Sequence, residues 1–404
     1  MKILFVTWDG PQVTYLESLF LPIFAELATR GITFHILQFT WARGGQLKRM
    51  EKACIKACCT YEVRSIWRKP VGLGGFLTTI YGAICIRGAI RKYDIDAVMP
   101  RSTMPALATL MALRNNTIPI IFDADGLPLD ERVDFGGQSP SGFIHRFLRD
   151  IEAQMVRRAN VILTRSIIAN QILSARGGAG VSTEKFNVVS NGRDSNIFKP
   201  VCDISVNEIR ARLHIKRDVP VVVYAGSLGG KYRLSEIIVF FKYVLNLRTD
   251  AKLIILTSSF EAARQSIAQD SIIADSAIAL EVSSDQVSMY LSAADVGLSF
   301  IAASYSMQAV SAIKTGEYLL SGLPVIGTAG IGNSREVCSL GGLALDSLDC
   351  SELERAAIWF VKEMLPNRQR YRIKSREVGL KYYGLDVAIS SYHDALQSLT
   401  KNRR

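Results

Sequence analysis

The amino-acid sequence predicts an α/β protein of two domains, each built on a parallel β-sheet with helices between its strands. Three observations lead to this prediction. The chain has 404 residues, which is more than one ordinary hydrophobic core accommodates. Short apolar segments alternate with helical patterns, an arrangement typical of right-handed βαβ units. The alternating series breaks off near residues 192–205 and then begins again.

The first series predicts the N-terminal domain. A short apolar strand at its start is followed by a helix at residues 17–29 and, later, by a basic amphipathic stretch. The apolar strands are predicted at residues 3–6, 33–39, 97–100, 119–122, 161–164 and 187–189.

The second series predicts a C-terminal domain of the same architecture. Asn191-Gly192 forms a turn and Lys199-Pro200 interrupts the chain, so we place the linker near residues 192–205. Apolar strands then recur at residues 219–225, 252–256, 278–282, 296–300 and 324–326. The predicted domains are residues 1–195, residues 196–370, and C-terminal helices at residues 371–404 that cross back to the first domain.

The composition is that of a globular protein, with 49% hydrophobic and 21% charged residues and no low-complexity segment. The apolar run between Lys2 and Thr7 is too short for a secretory signal. The uncharged stretch at residues 71–86 is shorter than the roughly 20 residues that span a bilayer. Seven cysteines without a CxxC pair indicate reduced thiols. These features predict a cytoplasmic protein.

The whole chain has a net charge of +11, and its positive charge is concentrated in one segment. Residues 43–92 contain only Glu51 and Glu62 as acids, against eleven cations: Arg43, Lys48, Arg49, Lys52, Lys56, Arg64, Arg68, Lys69, Arg87, Arg91 and Lys92. By charge alone, the partner is an anionic membrane leaflet or nucleic acid. Few aromatic residues interleave the cations and no recognition module is present, so we expect no nucleic-acid binding. A solvated helix face is the alternative interpretation.

The glycine-rich segments do not match the common nucleotide-binding fingerprints. Gly72-Leu73-Gly74-Gly75 lacks the spacing and the preceding strand of a dinucleotide site. The segment from Gly226 to Lys231 is too short for a P-loop and has no Ser or Thr after the lysine. Because a predicted strand leads directly into it, however, Gly226, Ser227, Lys231 and Arg233 are candidates for binding a diphosphate. The alternative is a tight turn with solvated charges.

A second candidate segment runs from Ser311 to Ile326. A helix ends at Ser321-Gly322 and a buried strand begins near Pro324. Lys314 and Glu317 share one face of this helix, three residues apart. Their position between two strands favours a ligand role over a surface ion pair.

Several segments together resemble glycosyltransferase family 4, over roughly residues 1–345. The segment at residues 317–326, Glu-Tyr-Leu-Leu-Ser-Gly-Leu-Pro-Val-Ile, is similar to the family's donor-binding segment. Val188 to Asp194, with Phe198 and Pro200, resembles the segment before the family's second domain. Residues 159–166 and 226–233 match two further segments in the same order.

The resemblance implies a GT-B fold, with two facing Rossmann-like domains and a nucleotide diphosphate sugar as donor. It also implies a hexosyltransferase that retains anomeric configuration and uses no metal or other cofactor, since basic side chains stabilise the leaving diphosphate. Asp94-Ile95-Asp96 and Asp123-Ala124-Asp125 match a metal-binding Asp-x-Asp motif by letters only.

The chain departs from the family pattern at three positions. Ala309 stands where a second glutamate is common, and Ser227 stands where the phosphate loop usually has an arginine. Asp125 stands where many members have a histidine. The stretch from Phe122 to Asp134 resembles a bacterial subgroup that builds surface polysaccharides.

From this resemblance we assign roles to individual residues. Donor-binding candidates are Gly10, Gly226, Ser227, Lys231, Arg233, Val282, Lys314 and Glu317, and catalytic candidates are Asp125, Lys231 and Arg233. Glu317 is expected to bind the ribose and to contribute little to the fold. The acceptor, a saccharide or a polyprenyl-diphosphate-linked saccharide, and an anionic membrane are expected at Arg43, Lys48, Arg49, Arg68 and Lys69. Two other functions stay open, a GT-B sugar epimerase and a catalytically silent nucleotide-sugar-binding protein.

Overall fold

A computed structural model of the chain describes residues 1–11, 13–70, 73–283 and 286–401. It divides the chain into two compact units. The first consists of Met1–Ser190 together with the chain from Ala388 onward, and the second is Asn191–Val387. Each unit has its own parallel sheet and its own core, which confirms the predicted α/β architecture.

The first unit is built on seven parallel strands: β1 Lys2–Trp8, β2 Thr33–Thr40, β3 Thr60–Ser65, β4 Ala97–Pro100, β5 Ile121–Asp123, β6 Val161–Thr164 and β7 Phe186–Val188. They form sheets in the orders β3-β2-β1-β4 and β5-β6-β7. Single parallel bridges at Val98–Ile120 and Arg101–Asp123 join β4 to β5. The helices are α1 Leu21–Thr29, preceded by a π-helical turn at Leu16–Phe20, α2 Gly45–Lys56, α3 Leu73–Tyr93, α4 Thr103–Ala112, α5 Pro128–Asp134, α6 Phe143–Arg158 and α7 Ile167–Gly177.

The second unit contains a six-stranded parallel sheet in the order β10-β9-β8-β11-β12-β13. Its strands are β8 Val221–Ala225, β9 Lys252–Leu256, β10 Ala277–Leu280, β11 Val296–Ser299, β12 Val325–Thr328 and β13 Gly342–Leu345. Its helices are α8 Asp203–Arg212, α9 Leu234–Leu247, α10 Phe260–Ala268, α11 Val287–Ala293, α12 Ile313–Leu320, α13 Ser334–Gly341, α14 Cys350–Ile358 and α15 Arg368–Tyr383. The last helix, α16 Leu385–Lys401, contains the boundary between the units.

The central strand β8 explains why a continuous apolar run was a reliable signal here. Val222 and Tyr224 belong to a core cluster on one face of the sheet, and Val221, Val223 and Ala225 belong to a cluster on the other. Both faces are buried because helices cover both sides of a parallel sheet. All five side chains are therefore apolar or aromatic.

Two strands were not predicted, β3 and β13. Strand β3 is an edge strand that pairs only with β2, and its residues alternate between polar and apolar types. An edge strand with half-exposed side chains needs no apolar run, so the pattern used for the other strands does not detect it. Strand β13 is an edge strand of the six-stranded sheet in the second unit, and two of its four residues, Gly342 and Ala344, are small.

The unit boundaries differ from the predicted ones at the C-terminus. Helix α15 packs closely on α12, since a Cβ atom added at Gly379 would lie 2.5 Å from the Leu320 nitrogen. The Ser375 hydroxyl also donates to the Gly341 carbonyl at 2.8 Å. Residues 368–383 therefore belong to the second unit, and the part of the chain that returns to the first unit begins at Ala388 and not at residue 371.

Helix α3 is the one helix among the described residues that is long and apolar enough to cross a membrane, judged by length and composition alone. It has 21 residues, and 39% of its most apolar window is buried within the protein. The predicted uncharged stretch at 71–86 falls mostly on this helix, although Val71 and Gly72 lie outside the described residues.

Candidate functional site

Both units present polar residues at the carboxyl ends of their central strands, where the strand order reverses. In the second unit this point lies between β8 and β11, and in the first between β1 and β4. The orders correspond to 3-2-1-4-5-6, for which ligands bind in the crevice at the reversal.

The glycine-rich loop after β8 is held against the end of β11. The Ala302 amide donates to the Lys231 carbonyl at 2.8 Å, and the Arg233 amide donates to the Phe300 carbonyl at 3.3 Å. Gly226, Gly229 and Gly230 have positive φ angles, which glycine adopts without steric cost. The loop therefore follows the crevice edge with its backbone accessible, and the Ser227 side chain is exposed.

The two cations of this loop differ in their surroundings. Arg233 is exposed and forms an ion pair with Glu236, one turn into α9. Lys231 is half-buried, and its Nζ lies 5.7 Å from the centre of the Tyr232 ring. The Arg233 charge is thus already compensated by a local carboxylate.

Lys314 lies beside this loop, between two tyrosine rings. Its Nζ is 4.1 Å from the ring centre of Tyr224 and 4.2 Å from that of Tyr232, and it donates to the Tyr224 hydroxyl at 2.9 Å. A Cβ atom on Gly226 would approach this Nζ to 2.7 Å, so a side chain there would displace the lysine. Burial lowers the pKa of Lys314 to about 7, with Lys231 adding to the decrease and Glu317 opposing it.

Helix α12 holds Lys314 and Glu317 in place through Tyr318. The Ala225 amide at the end of β8 donates to the Tyr318 hydroxyl at 2.7 Å. The ring lies on Gly297 of β11, where an added Cβ atom would come within 2.6 Å of it. This anchor fixes the helix against the sheet beside the loop.

Glu317 has a partner that the sequence hypothesis did not include. Arg193 Nη2 lies 2.6 Å from Glu317 Oε1, and only 12% and 14% of the two side chains are exposed. Arg193 also stacks on the Phe198 ring at 5.1 Å. Glu317 therefore has a structural contact beside its expected ligand role, because its carboxylate pairs with a mostly buried guanidinium.

Val282 and Ala309 lie near the same edge of the second unit. Val282 follows β10 by two residues and is half-buried against the core, rather than being part of the strand as predicted. Ala309, at the position of the second glutamate of family 4, is fully buried in a short 3-10 helix at Ser306–Ala309.

In the first unit, a buried network of charges joins the ends of β4, β5 and β6. Asp123 is fully buried, and its two carboxylate oxygens accept from Arg101 Nη1 at 3.1 Å and Arg165 Nη2 at 2.9 Å. Arg165 also donates to the Tyr392 hydroxyl at 3.1 Å. The second guanidinium nitrogen of Arg101 donates to Asp125 Oδ1 at 2.6 Å.

Asp125 is the member of this network that reaches the surface, with 36% of its side chain exposed. It has a φ of +53° in a tight turn followed by Gly126. Despite this exposure, burial by the surrounding protein raises the pKa of Asp125 to about 6; Arg101 opposes the increase and Asp123 adds to it.

Gly10 lies in the loop after β1, against the Trp41 ring. A Cβ atom at Gly10 would lie 2.6 Å from this ring, so only glycine fits. The Arg68 guanidinium stacks on the same tryptophan, 4.8 Å from the ring centre. Gly10, predicted for the donor site, and Arg68, predicted for the acceptor side, therefore contact the same tryptophan.

Comparison with solved structures identifies the fold type of the chain. A glycosyltransferase from Rickettsia africae has a TM-score of 0.75 at 14% identity, over 99% of this chain and 99% of that one. The HepE protein of Anabaena, in complex with UDP, has a TM-score of 0.73 at 15% identity, over 98% and 100%. The fold is of the GT-B type. A UDP-GlcNAc 2-epimerase from Neisseria meningitidis has a TM-score of 0.63 at 13% identity, over 98% and 100%. No family model matches the sequence, and no curated protein matches it.

Within this GT-B chain the five predicted acceptor-side cations are all exposed. Arg49 pairs with Glu17 at 3.1 Å and Arg68 stacks on Trp41, whereas Arg43, Lys48 and Lys69 have no ion pair in the described parts of the chain. Other cations of residues 43–92 have structural partners, since Arg64 and Lys92 both pair with Glu62. The surface charge of this segment is therefore smaller than its composition indicates.

The two Asp-x-Asp pairs have protein partners in this GT-B structure. Both oxygens of Asp123 bind arginines, and Asp94 lies 3.5 Å from the Lys2 Nζ. Among residues 1–11, 13–70, 73–283 and 286–401 no group of three or more His, Cys, Asp or Glu side chains could hold a metal ion.

Sequence reasoning missed Arg101, Arg165 and Arg193. Arg101 and Arg165 directly follow predicted strands, a position that was used to select other candidates and could have selected these two. Arg193 belongs to the segment resembling family 4, but its contact with Glu317 spans 124 residues and has no local signal.

Proposed function

We propose that this chain is a glycosyltransferase that takes a sugar from a nucleotide diphosphate carrier. The observation that carries the proposal is the cluster at the carboxyl edge of the second sheet. There a glycine-rich loop, Lys231 and the half-neutral Lys314 lie beside the Glu317 carboxylate. Cations and backbone amides suit a diphosphate, and a carboxylate suits the ribose hydroxyls.

The donor is a nucleotide sugar, and UDP is the first nucleotide to test because the similar HepE protein was solved with UDP and with UDP-glucose. Resemblance to family 4 supports a hexosyltransferase that retains anomeric configuration. Charge grows on the leaving diphosphate in the transition state, so Lys231, Arg233 and Lys314 contribute to rate by stabilising it. This chemistry requires no metal or cofactor.

The acceptor binds to the first unit, at the edge formed by Gly10, Arg101 and Asp125. Asp125 accepts a hydrogen bond from a hydroxyl group of the acceptor or of the sugar, and Arg101 holds its carboxylate in position. The acceptor is a saccharide or a polyprenyl-diphosphate-linked saccharide. The exposed cations Arg43, Lys48, Arg49, Arg68 and Lys69 favour an anionic lipid surface nearby, in polysaccharide synthesis at the inner face of a membrane.

A thermal-shift screen of UDP, GDP, ADP and their sugars tests the donor assignment. Specific binding of a nucleotide that is present in excess raises the melting temperature, in proportion to the logarithm of its concentration over its dissociation constant. The preferred nucleotide sugar is then incubated with saccharide acceptors, and the free nucleotide is measured. A chain that binds no nucleotide diphosphate at millimolar concentration contradicts the proposal.

The second candidate is a nucleotide-sugar epimerase, which the fold similarity to the Neisseria enzyme favours. An epimerase changes the donor in the absence of any acceptor, so analysis of sugar products without acceptor separates the two functions.

A silent binding protein is favoured by Ala309 and Ser227, which replace a glutamate and an arginine common in family 4. Such a protein would bind the nucleotide sugar and leave it unchanged.

A further inference from the structure

A cavity of about 510 Å³ lies in the second unit, at the opposite edge of the sheet from the glycine-rich loop. Asp295, in its wall, directly precedes β11, whereas the loop follows the carboxyl end of the neighbouring β8. Strands of this length separate the two edges by on the order of 15 Å. The volume is within the range of roughly 300–1,000 Å³ that is usual for small-molecule sites.

Five arginines line this cavity. Arg368, Arg372 and Arg376 are spaced four residues apart on α15, so they lie on one face of the helix. Arg210 of α8 and Arg217 complete the wall. Like charges at this helical spacing repel one another, so the net charge of the cavity depends on how many acidic side chains lie beside the arginines.

The acids in the wall compensate this charge only in part. Asp203 pairs with the exposed Arg217 at 3.7 Å, and Glu377 lies 3.6 Å from Lys374, a cation outside the cavity wall. Asp295 is left to face three guanidinium groups. Its carboxylate is 3.2 Å from Arg210, 3.0 Å from Arg368 and 4.0 Å from Arg372.

The remaining arginine contacts are with neutral groups. Arg210 donates to the carbonyls of Ala293, Arg217 and Val219, and Arg376 to those of Ser195, Phe198 and Leu320. Arg372 donates to the carbonyls of Ser292 and Ala294. Burial lowers the pKa of both Arg372 and Arg376, and for Arg372 the neighbouring arginines add to the decrease. These carbonyls fix the guanidinium groups in place but carry no net charge.

We propose that this cavity binds a small phosphate-class anion, at a site separate from that of the donor nucleotide. Guanidinium groups bind phosphate oxygens through paired, charge-assisted hydrogen bonds. Arg368 and Arg217 are the accessible members of the wall, with 35% and 77% of their side chains exposed, so they contact the anion. Arg210 and Arg372 are more buried and add positive electrostatic potential to the same wall. This inference does not depend on the proposed transferase activity.

Titration calorimetry with inorganic phosphate at low ionic strength tests the site, with the full chain as the protein. Arg368→Gln is expected to weaken binding by roughly tenfold, because it removes one charge-assisted contact. Arg370→Gln is the matched control, since Arg370 is exposed on the same helix and does not line the cavity. Lys231→Ala reports phosphate bound at the glycine-rich loop instead. Arg370→Gln should bind phosphate within about twofold of the unchanged chain.

Two results would overturn the proposal. One is the absence of saturable phosphate binding by the unchanged chain. The other is a loss in Lys231→Ala or Arg370→Gln as large as that in Arg368→Gln, because phosphate would then bind at the loop or through general surface charge. Arg217→Gln provides a second variant, since this exposed residue can change without disturbing the core.

Discussion

At the scale of single residues, the protonated amine of Lys314 has three N–H donors. In the described structure it donates to one acceptor, the Tyr224 hydroxyl. Burial and the charge of Lys231 keep its pKa near 7, so about half of the molecules carry a neutral amine at neutral pH. Between pH 7 and 10.5 the folded chain binds fewer protons here than the unfolded chain. The unfavourable contribution of this lysine to folding therefore decreases as the pH rises through that range.

An anionic diphosphate beside Lys314 should reverse this shift. We predict that UDP binding takes up as much as about one proton per site between pH 7 and 9, and that affinity falls as the pH rises through that range. Calorimetry at one pH in two buffers of different ionisation enthalpy measures the uptake. Lys314→Met should bind UDP without uptake. Nucleotide binding with no buffer dependence in the unchanged chain would contradict this role for Lys314 while leaving the donor site intact.

Glu317 combines a ligand role with a structural one. We predict that Glu317→Ala lowers nucleotide affinity and also destabilises the fold by about 2 kcal/mol, because the mostly buried guanidinium of Arg193 loses the carboxylate that pairs with it. Glu317→Gln keeps an acceptor and should lose less stability. Thermal unfolding and nucleotide titration of both variants separate the two effects. If Glu317→Ala binds nucleotide as the unchanged chain does, Glu317 is not part of the donor site.

At the scale of elements, the loop after β8 carries two cations that composition treats as equivalent. Arg233 forms an ion pair with Glu236, and the charge of Lys231 adds to the decrease in the pKa of Lys314. We predict that Lys231→Ala reduces kcat more than it raises KM, by roughly 10²-fold in kcat, and that Arg233→Ala has a smaller effect. Steady-state kinetics of the two variants provides the comparison. Full turnover in both would show that the loop does not hold the leaving diphosphate.

Helix α3 presents an exposed apolar surface within the basic segment at residues 43–92. Leu73, Phe76, Leu77, Tyr81 and Ile84 are exposed, and Trp67 stacks on Tyr81 at 5.7 Å between ring centres. Arg68 and Lys69 directly follow this tryptophan in the chain. Apolar and aromatic side chains beside cations are typical of a peripheral contact with an anionic membrane.

We predict that the protein sediments with anionic vesicles at low salt and is released at high salt, since surface charges are screened beyond about 8 Å at physiological ionic strength. Phe76→Ser should reduce sedimentation, and Ile272→Ser, which changes an exposed apolar residue of the second unit, should not. Equal recovery in the supernatant with neutral and anionic vesicles would contradict a membrane contact through α3.

At the scale of the whole molecule, each unit has its own parallel strands and its own buried residues, and the second unit contains a complete six-stranded sheet with a core cluster on each face. We predict that residues 191–387, produced alone, fold cooperatively and bind the preferred nucleotide within about threefold of the full chain, without transferring sugar. Circular dichroism and nucleotide titration check this expectation. A fragment that folds but does not bind would mean that the first unit contributes substantially to donor affinity, and the site assigned to the second unit would be incomplete.

The sequence was sufficient for the features that depend on short-range pattern. Eleven predicted strands match strands of the structure, with the ends shifted by up to two residues, and most of them are buried on both faces and have continuous apolar runs. Glycines at Gly226 and Gly10 were also recognisable, because a residue without a side chain next to a strand end indicates a close approach. The edge strand β3 alternates between polar and apolar residues and leaves no such run, and β13, a four-residue edge strand with two small residues, was also missed.

Charge pairing, in contrast, depends on distances that the chain order does not reveal. The carboxylate of Glu317 is compensated by Arg193, 124 positions away, and Asp123 binds arginines 22 and 42 positions away. Secondary structure follows from the hydrophobic period of neighbouring residues, which is written along the chain. The pKa of Lys314 or Asp125 instead depends on burial and on charges within a few ångströms, which exist only after distant strands have met.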